Sequence, residues 1–146
     1  MDAMNSKAPL WMKFTLIAAG IYNILWGLIT IIYPEFYFKF AGMNHNNFPE
    51  IWQCVGMIVG VYGTGYLIAA YNPFKHWPII FVGLLGKILG PVGYMSAFYK
   101  GTFTLKAGIT NITNDLIWWI PFAIILWHAY KYYHPKDYNQ NDYGTR

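Results

Sequence analysis

The chain has 146 residues, of which 56% are hydrophobic and 21% aromatic, while only 11% are charged, for a formal net charge of +4. A water-exposed domain needs about a quarter of its residues charged to solvate its surface, so this composition argues against a soluble enzyme domain or a disordered segment. One cysteine, Cys54, forms no intramolecular disulfide and supports no cysteine-based structural zinc site, which argues against a disulfide scaffold too.

Four apolar stretches follow in chain order, at about 14–33, 51–71, 77–99 and 109–130. Each is long enough to cross roughly 30 Å of hydrocarbon at about 1.5 Å per residue. None shows the polar face of a soluble amphipathic helix, so the expected fold is an all-α, four-span membrane bundle. Prolines mark the boundaries: Pro34 stops the first span, Asn72-Pro73 turns the chain after the second, and Pro78 sits in the first turn of the third, where a missing N–H costs nothing. The first apolar run exceeds the 7–15 residues of a signal-peptide core and is read as a retained span.

Lysine and arginine set the expected orientation. One side carries Lys7, Lys13, Lys75, Lys131, Lys136 and Arg146, and the other Lys39, Lys100 and Lys106, which places both termini in the cytoplasm of an inner or plasma membrane. Segment 34–50 is aromatic and polar together and is expected to lie along the opposite interface as a partial helix. The stretch 134–146 is expected to be a polar cytoplasmic tail. No clustered basic face exists, so nucleic acid is not an expected partner. The expected partners are the lipid bilayer, another membrane protein or a second copy of the chain.

Small residues recur at helical spacing. Gly20, Asn23, Gly27 and Thr30 share a face of the first span, Gly56 and Gly60 of the second, and Gly83, Gly86, Gly90 and Gly93 recur along the third. Lipid supplies no hydrophobic push between helices, so these glycines are read as places of close helix approach.

Lys87 in the third span and Asp115 in the fourth are harder to explain by packing. A charge at the bilayer centre costs roughly 2.5–3.5 kcal/mol on insertion scales, so such groups turn inward and find partners. Measured from the adjacent span ends, Lys87 lies about 18 Å deep and Asp115 about 9 Å, a mismatch slightly beyond the reach of a lysine side chain. It closes if the fourth helix begins nearer Leu105. Pro91 removes the helical donor for the carbonyl of Lys87, and Pro121 does the same for Ile117. With Asn23, Asn111, Asn114 and Tyr94, these freed carbonyls outline a polar pocket around the pair; a simple clamp between two helices is the competing reading.

Other chemistries find little support. The histidines lie in loops or at span ends, which disfavours haem, and no metal site is expected. Cys54 has no second cysteine to resolve it. No phosphate-binding loop, dinucleotide fingerprint or nucleophile elbow is present. A quinone ring remains compatible with the aromatic interior formed by Trp118, Trp119, Tyr62 and Tyr66.

A first span with spaced glycines ending at a proline (Gly20, Gly27, Pro34), a glycine-rich second span and the four-span plan together resemble the DoxX-like group of small bacterial membrane proteins. The resemblance implies an accessory or quinone-proximal subunit of a membrane redox or stress-response system and carries over no catalytic residue. The residues themselves leave two further readings: a proton-coupled transporter or channel using Lys87 and Asp115, and a structural or assembly module. These readings leave open whether the chain is an enzyme.

Overall fold

A computed structural model of the chain describes residues 8–43 and 48–134. It is all-helical, in the order α1 (Leu10–Ile32), α2 (Phe36–Ala41), α3 (Pro49–Tyr71), α4 (Trp77–Tyr99), α5 (Gly108–Asn111), a π-helical turn (Ile112–Leu116) and α6 (Ile117–Tyr133). Four helical stretches are long and apolar enough to cross a membrane: α1, α3, α4 and the continuous run Gly108–Tyr133. Relative to the expected spans, the first begins four residues earlier, at Leu10, and the fourth is interrupted by the π turn. The tail expected at 134–146 lies outside the described residues except for His134, as do Lys7, Lys136 and Arg146.

Burial is inverted relative to a soluble bundle. Val61, Leu89 and Ile120 are 71%, 65% and 72% exposed, as are many other large apolar side chains in the helix midsections. Such a continuous apolar exterior is what hydrocarbon, not water, solvates. Cys54 is also on the exposed side of α3.

Between α1 and α3 the backbones approach each other directly. A Cβ on Gly20 would lie 2.9 Å from the carbonyl oxygen of Gly63, and one on Gly63 would lie 2.7 Å from that of Gly20. Gly27 and Gly56 repeat the reciprocal contact at 2.6 and 2.9 Å. The two pairs fix α1 and α3 in antiparallel register, with Asn23 level with Gly60. Dispersion across so short a separation supplies what lipid-driven burial cannot.

The expected glycine stripes are only partly places of close approach. Gly83 admits the Tyr66 ring, whose hydroxyl would lie 2.5 Å from an added Cβ, and Gly90 admits the Asp115 carboxylate at 2.7 Å. Gly60, Gly86 and Gly93 have nothing within 4 Å of an added Cβ, although the Gly60 backbone itself lies close to Gly27. The reason is geometric. Gly86, at the edge of the face that holds Gly83 and Lys87, and Gly93, seven residues on, both stand where α4 is exposed and no neighbouring helix covers them.

One core cluster joins the helices at the end where α1 begins and α6 finishes, built on Met12, Leu16, Tyr66, Ile80, Phe122 and Ile125. Tyr66 meets Phe122 edge to face, with centroids 5.1 Å apart. The α3–α4 connection is tied by Asn72, whose side-chain oxygen accepts from the Lys75 N–H at 3.1 Å and whose carbonyl accepts from the His76 N–H at 3.0 Å.

The opposite end is closed by a clasp. Tyr37 and Ala41 of α2 pack with Ala107 of the loop 100–107, against Trp52, Tyr94 and Phe103. Both chain reversals here end in Schellman geometry. Gly42, at φ +66°, lets the Met43 N–H reach the Phe38 carbonyl, and Gly101, at φ +73°, lets the Thr102 N–H reach that of Ala97. The Thr104 hydroxyl donates to the Ala41 carbonyl at 2.6 Å, and the Tyr94 hydroxyl donates to the Thr104 carbonyl at 3.3 Å. The Tyr37 hydroxyl donates to the Ala107 carbonyl at 3.4 Å, and burial of the phenol raises its pKa above the usual value.

This clasp sets the depth of the fourth span. It draws the loop back into the bundle, so that Gly108 rests against the Tyr94 hydroxyl, 2.6 Å from where its Cβ would stand. The span therefore starts level with Tyr94, five residues short of the end of α4.

Candidate functional site

Lys87 and Asp115 meet in the middle of this frame. Each lies seven residues from the Tyr94–Gly108 contact, about 10 Å along its own helix. The mismatch expected from the sequence vanishes because the fourth span starts deeper, without any extension toward Leu105. Lys87 Nζ lies 4.0 Å from Asp115 Oδ1, and the two residues are only 4% and 6% exposed.

The pair is embedded in a partly satisfied polar network. Lys87 Nζ donates to the Asn114 carbonyl, and Asn114 Nδ2 donates to Asp115 Oδ1 at 3.0 Å. The ammonium also stands 5.8 Å from the ring centroids of both Tyr66 and Trp118, within range of cation–π attraction. Carboxylate and ammonium are thus linked through Asn114 more tightly than they are to each other, since a charge-assisted hydrogen bond closes to about 2.7–2.9 Å.

Two irregularities of the helices create this arrangement. Pro91 withholds the donor that would have bonded the Lys87 carbonyl, and the Trp119 indole N–H takes its place at 3.0 Å. Near Asp115 the backbone widens into the π turn, and the Trp118 indole N–H donates to the Thr113 carbonyl at 3.1 Å. The wider turn puts position 110 instead of Asn111 one turn before Asp115, so Asn111 falls off its face, while Asn114 reaches the carboxylate as its neighbour in the chain.

A cavity of about 150 Å³ borders the pair, lined by Asn23, Ile58, Val59, Tyr62, Tyr66, Gly83, Gly86, Lys87, Asn114 and Asp115. The expected residues Lys87, Asp115, Asn114 and Asn23 are therefore brought together, as are Tyr62 and Tyr66. Two expected members are not. Asn111 does not line the cavity, and Tyr94 turns its hydroxyl to Thr104 in the clasp. Trp119, as donor to the Lys87 carbonyl, was legible only as an aromatic residue; the combination of Pro91 with an indole on the neighbouring span is the signal that would have found it.

Asn23 Oδ1 and Asn114 Oδ1 are buried and have no hydrogen-bond partner among the described residues. An unpaired buried acceptor costs roughly 1–3 kcal/mol, so two in the wall of one cavity are a cost that a donor relieves once either amide turns toward it. Larger hollows lie elsewhere. One of about 300 Å³ runs between α4 and α6 along Trp77, Phe81 and Tyr130, and one of about 230 Å³ sits beneath the clasp among Trp26, Tyr37 and Trp52. Neither is lined by a charged side chain, so the chemistry is assigned to the smaller cavity. Among the described residues no group of three or more His, Cys, Asp or Glu side chains stands in position to hold a metal ion.

Fold and site together define a multi-span helical membrane bundle with a buried Lys–Asp pair at its centre. The chain matches no family model, no curated protein and no solved structure.

Proposed function

We propose that this protein moves protons across its membrane, coupled to a small molecule, through the Lys87–Asp115 pair. The observation that carries the reading is the pair's position: nearly fully buried, 4.0 Å apart, and beside a cavity with two unpartnered acceptors. A clamp is best made with short, fully satisfied bonds, because half-satisfied buried polar networks are costly. The 4.0 Å separation instead suits exchange. A proton on Asp115 neutralises the carboxylate and releases the ammonium, which keeps its bond to the Asn114 carbonyl and its two aromatic faces. Intramembrane ionisable groups are the usual carriers of such relays. On this reading the chain sits in an inner or plasma membrane with both termini in the cytoplasm, as its lysine distribution favours.

The test is proton uptake into liposomes containing the full chain, compared with Asp115→Asn and with Lys87→Met/Asp115→Leu. The double variant leaves no lone charge buried, so it separates transport from folding. Loss of uptake with a folded double variant supports the proposal.

A second reading, an accessory or quinone-proximal subunit of a redox or stress-response system, rests on the DoxX-like resemblance. It is favoured by one observation, the aromatic hollow of about 230 Å³ under the clasp, where Trp52 stacks on Tyr37 at 5.0 Å and its indole N–H has no partner. Protein purified in mild detergent without quinone and without a partner subunit counts against it.

A further inference from the structure

The cavity beside Lys87 lies at mid-bilayer depth and borders the lipid. Lys87 stands ten residues after Trp77 and twelve before Tyr99, close to the centre of α4. At the same level the rim is formed by Ile58, which is 58% exposed, and by Gly86, which is also exposed. Nothing lies within 4 Å of a Cβ built on Gly86. The gap between α3 and α4 is therefore bordered by side chains that face hydrocarbon, not by loops that face water.

The chemistry of the walls selects the occupant. Asn23, 3% exposed, and Asn114 line the hollow with side-chain carbonyl oxygens that are themselves closed off and unpartnered among the described residues, so a turn of either amide into the hollow calls for a hydrogen-bond donor there. Lys87 disfavours a cation and Asp115 an anion, and a further net charge at this depth carries the insertion cost already noted. At roughly 30 Å³ per water, about 150 Å³ takes a small head group with the first few methylenes of a chain.

We propose that this cavity binds the neutral, hydrogen-bond-donating head group of an amphiphile that reaches it sideways from the lipid, between α3 and α4. The proposal rests on the Lys87–Asp115 site being a working one, and it names the class of small molecule that the site takes.

The experiment uses the full chain in phosphatidylcholine vesicles and a photoreactive diazirine analogue of octanol, with adducts mapped by mass spectrometry. Saturable labelling is expected at Ile58, Val59 and Tyr62, competed by octanol but not by octane. Gly86→Leu fills open space without a clash and is expected to abolish that labelling, while Gly93→Leu on the same exposed side leaves it unchanged. Asn23→Leu removes one acceptor and is expected to weaken labelling about fivefold, the worth of one net hydrogen bond. Asn23→Ala, which is smaller, reads the same loss if the Leu variant does not insert. Labelling spread evenly over lipid-facing positions such as Leu89 and Val92, or competed equally by octane, overturns the proposal, as does a cavity holding only water. Because labelling is read without flux, lost labelling with intact proton uptake overturns the ligand and leaves the proton pathway standing.

Discussion

The indole N–H of Trp119 donates to the carbonyl of Lys87, 3.0 Å away, and occupies the acceptor that Pro91 leaves without a helical donor. A proline one turn after a buried lysine and an indole on the neighbouring span thus act as one unit. The proline frees the carbonyl, and the indole uses it to tie α4 to α6 where the charged pair sits.

That unit makes a coupled prediction. Trp119→Phe leaves the Lys87 carbonyl buried and unpaired, at a cost of roughly 1–3 kcal/mol. Pro91→Ala restores a backbone donor, so the double variant should lose less than Trp119→Phe alone. Thermal unfolding of the four proteins of this cycle in one detergent checks the coupling; additive losses would dissociate the two residues.

The α1–α3 contact predicts unequal glycines. Gly27→Ala sets a methyl group 2.6 Å from the Gly56 carbonyl oxygen, a backbone atom that moves only with its helix. A loss of about 1–3 kcal/mol is expected from the overpacking. Gly93→Ala meets nothing within 4 Å and gains helix propensity, so it should be neutral or stabilising by up to about 1 kcal/mol. Unfolding midpoints in the same detergent distinguish the two.

The clasp predicts a local effect. Thr104→Val removes the hydroxyl that bonds the Ala41 carbonyl at 2.6 Å, at a net cost of about 1 kcal/mol. Because that bond helps hold the loop at the level of Tyr94, hydrogen exchange in nanodiscs should quicken over 103–108 and leave the α1–α3 contact unchanged. Uniform quickening along the chain would contradict a local role.

The sequence made the spans legible because each apolar run is long and uninterrupted, and it made Lys87 and Asp115 legible because charges are scarce there. What it hid was depth and rotation. The starting level of the fourth span depends on Thr104 reaching Ala41, two residues 63 positions apart, and no local pattern encodes that contact. The loss of Asn111 from the face of Asp115 depends on the π turn, which breaks the 3.6-residue spacing on which face assignments rest. Tyr94 stands seven residues after Lys87 on the same face of α4 and still serves the clasp, because its ring stacks with Phe98 at 5.9 Å and its hydroxyl meets the returning loop. The glycines of α4 looked alike, but close packing uses only Gly83 and Gly90, the two that face Tyr66 and Asp115.

The most direct test of the central claim is proton uptake by liposomes carrying the Lys87→Met/Asp115→Leu protein. Removing one charge alone strands the other in the bundle, at roughly 3–5 kcal/mol, whereas exchanging both for apolar residues is close to neutral for folding. The account predicts a double variant that inserts and unfolds near the native temperature yet takes up no protons above the protein-free background. Uptake at the native rate by that folded variant would contradict the account and leave Lys87 and Asp115 as a clamp between two helices.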